Sequence, residues 1–168
     1  LGEPTVLMMG AAPSDVGLGN FDGDPALDLI TVNRDDAQVA LRLGDGNGGF
    51  GVRTAFATGP APVALTVGDF DGDGHTDVVT VSSGANTVSW LSGASNGSFT
   101  ASGDFATGMG PVAVVSTDFG ANTRADVVVA NAADNTVGVL LATDVPFAAM
   151  TPYAVGAAPS GLWVSGDF

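Results

Sequence analysis

The sequence predicts an all-β fold built from repeated four-stranded antiparallel sheets. Landmark residues recur at a step of 49 residues, for example Pro13, Pro62 and Pro111. A fixed period of about 20 to 50 residues is the signature of solenoids, propellers and arrays. Within one period the apolar residues form four short runs bounded by Gly, Pro, Asn and Asp, which indicates strands and not helices.

The second copy of the repeat shows the four predicted strands most clearly. They are residues 62–69, 77–82, 86–92 and 98–107. This spacing, about 12 residues per strand and turn, is typical of an antiparallel meander. Such a sheet has two apolar faces, and neighbours stacked around an axis cover both, as in the blades of a β-propeller. A parallel β-helix, the competing geometry, usually has a shorter period and lacks the four-run meander.

We expect residues 1–168 to form a single β-propeller segment. Its repeats lie at about 13–61, 62–110 and 111–158, with the start of a fourth at 159–168. An outer strand at about Thr5 to Met9 and an inner strand ending at Phe168 flank the three full blades. Closed propellers typically have about four to eight blades. We therefore expect part of a larger propeller, with missing blades or further copies as partners.

Composition narrows the function classes. The 168 residues are 45% hydrophobic and 13% charged, which indicates a globular protein and not a disordered tail. The net charge of −14, with 18 acids, four arginines and no lysine, argues against nucleic acid and anionic membranes as partners. No apolar run is long enough to insert in a bilayer. A start at Leu1, with neither Met nor a leader, favours a processed or truncated product.

An acidic loop follows the first predicted strand of each repeat. The stretch "GDFDGDGHTDVVTV", residues 68–81, carries four aspartates; residues 19–32 repeat this arrangement, and residues 117–130 repeat it with fewer acids. A solvated acidic turn would need no ligand, because Asp and Gly are ordinary turn residues. Carboxylates this crowded repel one another, however, unless a cation lies among them. Calcium accepts six to eight oxygen ligands and is the expected ion.

These residues resemble a known family. The frame Phe-x-x-Gly-x-x-Pro, a Val-rich strand, "GDFDGDGHTDVVTV" and "NTVSWL" are similar to FG-GAP or VCBS repeats, which occur in integrin α-subunit propellers, bacterial surface proteins and fungal lectins. The resemblance covers nearly the whole chain. It implies that a D-x-D-x-D-G-x-x-D loop binds calcium through positions 1, 3, 5 and 9 and the main-chain carbonyl of position 7. It also implies an extracellular or cell-surface protein that is not an enzyme.

Carried over by position, the resemblance implies a complete site in the second loop and a variant site in the first. The second-loop ligands are Asp69, Asp71, Asp73, the His75 carbonyl and Asp77, and the first-loop ligands are Asn20, Asp22, Asp24, the Ala26 carbonyl and Asp28. In the first loop Pro25 replaces the turn glycine, and we still expect this loop to bind calcium. The third loop offers Asp118, Asn122, the Arg124 carbonyl and Asp126. We expect it to be weak or empty, because Gly120 replaces an acid and Arg124 adds a positive charge.

Other patterns have simpler explanations. An EF-hand would need an acid at position 12 and flanking helices, whereas Thr80 stands there in a predicted strand. His75, the only histidine, is explained by its place in the metal loop. The glycine-rich residues 44–51 predict a hairpin turn, because a phosphate loop would carry a lysine. Trp90 and Trp163 are candidates for stacking on sugars, although buried packing between blades is the more usual role.

The residues provide no nucleophile with a histidine partner and no acid pair outside the metal loops. We therefore expect an extracellular, calcium-binding module for adhesion or for recognition of a glycan or an extracellular protein. An alternative is the non-catalytic propeller portion of a larger secreted enzyme, such as a polysaccharide lyase. A structural surface or filament component is a third hypothesis. The fold does not decide among them.

Overall fold

The computed structural model describes residues 6–120, 122–143 and 147–162, and in these residues the secondary structure is entirely β. The first sheet contains β1 (Pro13–Gly19), β2 (Asp28–Asn33), β3 (Gln38–Arg42) and β4 (Thr54–Ala57). The second contains β5 (Pro62–Gly68), β6 (Asp77–Ser82), β7 (Thr87–Gly93) and β8 (Phe99–Ala106). The third contains β9 (Pro111–Thr117), β10 (Asp126–Asn131), β11 (Thr136–Leu140) and β12 (Thr151–Ala154).

Each sheet is an antiparallel meander whose strands lie in chain order. The prediction of four-stranded antiparallel blades is therefore confirmed. The four strands predicted for the second copy each agree with β5 to β8 within one residue at either end. This agreement follows from the local signal, because glycine and polar turn residues interrupt each apolar run.

The expected flanking strands have a different outcome. Residues 6–9 form no strand, so the predicted outer strand is wrong for the part of it that the structure describes. Thr5 lies outside the described residues. Most of the expected inner strand of a fourth repeat, residues 163–168, also lies outside them, and residues 159–162 form no strand.

The three sheets stack with their first strands, β1, β5 and β9, next to one another. One buried apolar cluster lies between the first and second sheets, and a second one lies between the second and third. The centres of these clusters include Ile30, Val78, Phe70 and Val127, none of which is exposed. Stacked twisted sheets with the first strand innermost form consecutive blades of a β-propeller.

The glycine-rich residues 44–51 form a tight turn between β3 and β4. Gly44 and Phe50 are paired across it by an isolated bridge. Asp45 accepts hydrogen bonds from the main-chain N–H groups of Asn47 and Gly49, both at 2.8 Å. These bonds lower the pKa of Asp45 below its usual value. In the described part of the chain, no helix could cross a membrane.

Candidate metal centre

Three acidic loops, residues 20–27, 69–76 and 118–125, connect the first and second strands of the three sheets. Because the first strands lie side by side, the loops are neighbours at the same end of the stack. Main-chain hydrogen bonds join the first and second loops to the blade that follows each of them. Ala125 donates to the Asp69 carbonyl at 2.8 Å, and Gly97 of the second blade donates to the Phe21 carbonyl at 2.9 Å. The blade stacking therefore helps to position each loop.

The middle loop brings three carboxylates together. Oxygen atoms of Asp69, Asp71 and Asp77 all lie within 4.8 Å of one another. Among the residues that the structure describes, this is the one group of three or more acidic or histidine side chains with that geometry. The carboxylate of Asp73, a fourth predicted ligand, is not a member of the group.

Main-chain N–H groups hold the carboxylates of the middle loop in place. Asp69 accepts hydrogen bonds from Gly72 at 2.7 Å and from Gly74 at 2.9 Å. Both glycines have positive φ, 80° and 85°, a conformation that favours glycine. Asp73 accepts a hydrogen bond from the His75 N–H at 2.8 Å. Gly74, the glycine of the D-x-D-x-D-G pattern, and Gly72, at one of its variable positions, therefore favour the turn that brings the acids together.

Asp77 is the buried member of the group. Its carboxylate is completely inaccessible to solvent, and it accepts hydrogen bonds from Phe70 N at 3.0 Å, Gly93 N at 2.7 Å and Trp90 Nε1 at 3.2 Å. All three donors are neutral. Burial raises the pKa of Asp77 to about 6, and the negative charge of Asp71 adds to this effect, although the hydrogen bonds oppose it. A cation between these carboxylates would favour their charged forms.

Two residues that the sequence did not predict support this loop from β7. Trp90 donates to Asp77, and Ser92 donates through Oγ to Asp71 at 3.3 Å. One signal could have identified them. The equivalent positions in the first repeat are both leucine, and those in the third are valine and leucine. A tryptophan and a serine therefore replace aliphatic residues only in the repeat with the complete acidic loop.

The first loop closes in a different way, because Pro25 has no N–H group. In the middle loop the equivalent Gly74 donates to Asp69, and this bond is impossible at Pro25. The Asn20 side-chain amide donates instead to the main-chain carbonyl of Asp24, and Asn20 Oδ1 accepts from Gly23 N at 2.8 Å. Asn20, which stands where the middle loop has Asp69, therefore supplies a hydrogen bond that closes the loop in place of the one that Pro25 cannot donate.

The other predicted ligands of the first loop are engaged in the loop itself or in the adjoining hairpin. Asp22 accepts from Asp24 N at 3.1 Å, and Asp24 accepts from Ala26 N at 2.7 Å. Asp28 is buried and accepts from Gly44 N at 2.8 Å. Asp22, Asp24 and Asp28 do not form a group as tight as that of the middle loop.

The third loop uses its polar side chains to support its own fold. Asp118 accepts from Asn122 N at 3.3 Å and from Thr123 N at 2.9 Å. The side-chain amide of Asn122 donates to the carbonyl of Ala142 at 3.2 Å. Arg124 donates to the carbonyl of Thr143. Asp126 is buried, and no group of three convergent carboxylates forms among the described residues of this loop.

The donor set of the middle loop fits calcium. Hard carboxylate oxygens are the ligands that this ion prefers. Asp69 and Asp71 are partly exposed, which leaves a route for an ion, whereas Asp77 closes the inner side. These three side chains would hold the ion and would lose their mutual repulsion. The Asp73 side chain and the His75 carbonyl stay predicted ligands.

The two tryptophans proposed as sugar platforms have separate outcomes. Trp90 is only 6% exposed and packs edge to face against Phe147, with ring centroids 6.0 Å apart. It therefore belongs to the core between the second and third blades, and only this small exposed fraction reaches the groove that it lines with Thr58 and Asp104. Trp163 lies outside the described residues.

Comparisons with known proteins agree with this architecture. Two crystal structures of BBS1N in complex with ARL6DN, one soaked with lead and the other with mercury, share the fold at TM-scores of 0.62 and 0.66, each with 13% identity. The matches cover 94% and 95% of this chain but 47% and 49% of the BBS1N chains, so this chain spans about half their length. At this identity the likeness shows the fold alone.

The sequence matches no curated protein at a significant level. The family profile described as FG-GAP-like repeat, in contrast, matches residues 20–80 and 69–129. The two matches are offset by 49 residues, which is the repeat step of the sequence, and together they cover more than half of the chain. The chain belongs to the FG-GAP-like repeat family.

Proposed function

We propose that this chain is a calcium-stabilised, non-catalytic propeller module that presents its loops to a glycan or protein ligand outside the cell. The convergence of Asp69, Asp71 and Asp77 within 4.8 Å is the observation that carries the calcium part of the proposal. Extracellular calcium modules typically bind with Kd of about 10⁻⁴ to 10⁻³ M. Such an affinity suits the millimolar calcium found outside cells.

Bound calcium would act on the fold and not on a reaction. The middle loop lies between the first strand of its blade and the third loop, because Asp69 accepts a main-chain bond from Ala125. An ion held by the middle loop would therefore stabilise the junction between the second and third blades. Binding to the folded state alone stabilises it by about 2.7 kcal/mol at a hundredfold excess over Kd.

Calorimetric titration with calcium, together with thermal unfolding, tests this proposal. We expect calcium to bind and to raise the Tm, and we expect a chelator to reverse the increase. Asp71→Asn should weaken binding at least tenfold, because it removes one charge of the group. Asp118→Asn in the third loop is the matched control and should have a much smaller effect. If millimolar calcium produces no heat of binding and no shift in Tm, the proposal is contradicted.

The ligand-binding part of the proposal is supported by a groove between the first and second blades. The groove has a volume of about 330 Å³ and is lined by Thr58, Ser89 and Asp104, among others. Hydroxyl and carboxylate groups suit the hydroxyls of a sugar, and clefts between repeats are common binding sites. BBS1N, which has the same fold, was crystallised in complex with ARL6DN, and this complex supports a protein ligand as the alternative.

A glycan array probed with the calcium-loaded chain tests the carbohydrate ligand class. Asp104 is exposed on β8, so Asp104→Ala should remove binding without disturbing the fold. Thr100→Ala, on the same strand and also exposed, is the control. If the chain binds no glycan of a broad panel, the glycan hypothesis is excluded and a protein ligand is left as the proposed partner.

A further inference from the structure

Two asparagine–glycine pairs, Asn47–Gly48 and Asn96–Gly97, occupy the same place in the first and second repeats. They are 49 residues apart, and each lies in the turn between the third and fourth strands of its blade. In such a pair the main-chain nitrogen of the glycine can attack the side-chain amide of the asparagine, because glycine has no side chain to obstruct the approach. The two turns differ in how far they permit this attack.

The first pair is open to solvent. Asn47 and Gly48 are both exposed, and a side chain built on Gly48 would meet no atom within 4 Å. The N–H of Gly48 donates no hydrogen bond to any residue that the structure describes. The Asn47 amide donates one exposed bond, to the carbonyl of Asp45 at 3.1 Å. The attacking nitrogen is therefore free, and a single exposed bond restrains the amide.

The second pair is held by the first blade and by its own turn. Gly97 is buried, and its N–H is shared between the carbonyls of Phe21, at 2.9 Å, and Ala94, at 3.1 Å. The side-chain oxygen of Asn96 accepts hydrogen bonds from the N–H of Ser98 at 3.0 Å and from its hydroxyl at 2.6 Å. Attack at Asn96 requires the Gly97 N–H to leave both carbonyls first, because a nitrogen that donates hydrogen bonds keeps its proton.

We propose that Asn47 is a site of spontaneous deamidation in the folded protein, whereas Asn96 is protected by its contact with the first blade. The Gly48 nitrogen forms a bond to the side-chain carbonyl carbon of Asn47, and the amide leaves as ammonia with the proton of Gly48. Water then opens the cyclic imide at either carbonyl and leaves aspartate or isoaspartate at position 47. Water is the only other reactant, and no electrons are transferred. The proposal goes beyond the calcium and ligand functions and needs neither.

Deamidation would change the turn that adjoins the first acidic loop. The carboxylate of Asp45 accepts main-chain bonds from Asn47 and Gly49, both at 2.8 Å. A second carboxylate at position 47 repels it, and isoaspartate also adds one carbon to the main chain of the turn. Gly44, in the same turn, donates to the buried carboxylate of Asp28 at 2.8 Å. The reaction therefore loosens a turn that helps to hold Asp28.

Peptide mapping by mass spectrometry, after incubation of the folded chain at mildly alkaline pH, tests the proposal. Trypsin cleaves after arginine, so Asn47 is the only asparagine of the peptide 43–53, and fragmentation locates Asn96 within the peptide 54–124. We expect Asn47 to deamidate at least about tenfold faster than Asn96, because the hydrogen bonds of Gly97 must open first. In urea the two rates should converge. Equal rates in the folded chain, or the same ratio in urea, would overturn the proposal.

An Asn47→Gln variant is the matched control. Glutamine keeps the exposed amide but would have to close a larger ring, so this peptide should stay unmodified during the same incubation. Hydrogen exchange then measures the effect on the turn. Residues 43–51 should exchange faster after incubation of the wild-type chain and should not change in the variant. Modification of the variant at the same rate would overturn the proposed chemistry, and unchanged exchange in a deamidated chain would overturn the effect on the turn.

Discussion

At the scale of single residues, the internal repeats act as natural variants of one another. A residue with positive φ precedes the third strand of every sheet, and it is Ala37, Asn86 or Asn135, with φ of 51°, 55° and 57°. The two asparagines also accept hydrogen bonds from the next blade connection, from Gly110 N at 2.9 Å and Ala158 N at 2.8 Å. Ala37 has no side-chain acceptor, so the first repeat lacks this bond.

We predict that Ala37→Asn stabilises the protein by about 1 kcal/mol. Asparagine tolerates the left-handed conformation better than alanine, and a neutral hydrogen bond contributes about 1 kcal/mol. The expected donor is the N–H of Ala61, which corresponds to Gly110 in the repeat. Ala37→Gly relieves the backbone strain without adding the acceptor and should stabilise less. Urea unfolding measures both changes, and equal effects of the two substitutions would exclude a contribution from the amide.

The last aspartate of each loop has a structural role in all three repeats. Asp28, Asp77 and Asp126 are fully buried, and each carboxylate joins the start of its loop to the end of the third strand or to the connection that follows it. Asp126 accepts from Phe119 N at 2.8 Å and from Ala142 N at 2.7 Å. The third loop keeps this residue although it lacks the other acids. The aspartate therefore supports the fold whether or not a metal binds.

We predict that Asp126→Ala lowers the free energy of unfolding by about 2–4 kcal/mol, because it leaves the N–H groups of Phe119 and Ala142 without their partner, the latter in a buried position. The loss should be the same with calcium and with a chelator. Asp118→Ala, at an exposed position of the same loop, is the control and should lose much less. Urea unfolding under both conditions makes the comparison. A loss that appears only with calcium would assign Asp126 to a metal site instead.

At the scale of elements, the blades are joined by aromatic side chains that cross between sheets. Phe147 is 7% exposed and contacts Phe70, Trp90 and Phe105 of the second blade. The ring lies in the connection between β11 and β12, and an isolated bridge between Ala142 and Phe147 holds it there. The connection between β11 and β12 thus supplies the side chain that packs the third blade against the second.

We predict that Phe147→Ala destabilises the protein by about 3–5 kcal/mol, the usual effect of removing a buried aromatic ring. Phe50→Ala removes the equivalent ring of the first blade. It should have a much smaller effect, because Phe50 has no ring contact with another aromatic side chain among the described residues. Thermal unfolding measures both variants, and equal losses of stability would contradict this difference.

At the scale of the whole molecule, the uneven charge opposes the stacking of the blades. The net charge is −14, and three acidic loops lie at the same end of the stack. Sodium chloride shortens the screening length from about 30 Å at 0.01 M to about 3 Å at 1 M. We therefore predict that the Tm of the calcium-free chain rises with salt at pH 7. The increase should be smaller near pH 4, because the ordinary pKa of aspartate, about 3.9, leaves roughly half of the carboxylates protonated there. A Tm that is independent of salt at pH 7 would exclude repulsion as a significant effect.

The sequence alone determined the repeat, the strands and the positions of the acidic loops. These features are local, because apolar runs, turn residues and a period of 49 residues can be found without knowing which strands meet. The sequence also predicted that the third loop differs from the other two, since Gly120 and Arg124 replace expected residues. The prediction of a flanking strand was wrong for residues 6–9. A strand needs a partner strand, and the apolar residues of this segment do not identify one.

Only the tertiary structure decided which residues of distant strands complete the middle loop. Trp90 and Ser92 contact Asp77 and Asp71 because β7 lies beside β6, a relation that spacing within the loop does not reveal. It also decided that Phe70 is buried whereas Phe119 is exposed. The two phenylalanines have the same place in the repeat, so local sequence cannot distinguish them. Burial depends on whether another blade covers the side chain, and that is a property of the stack.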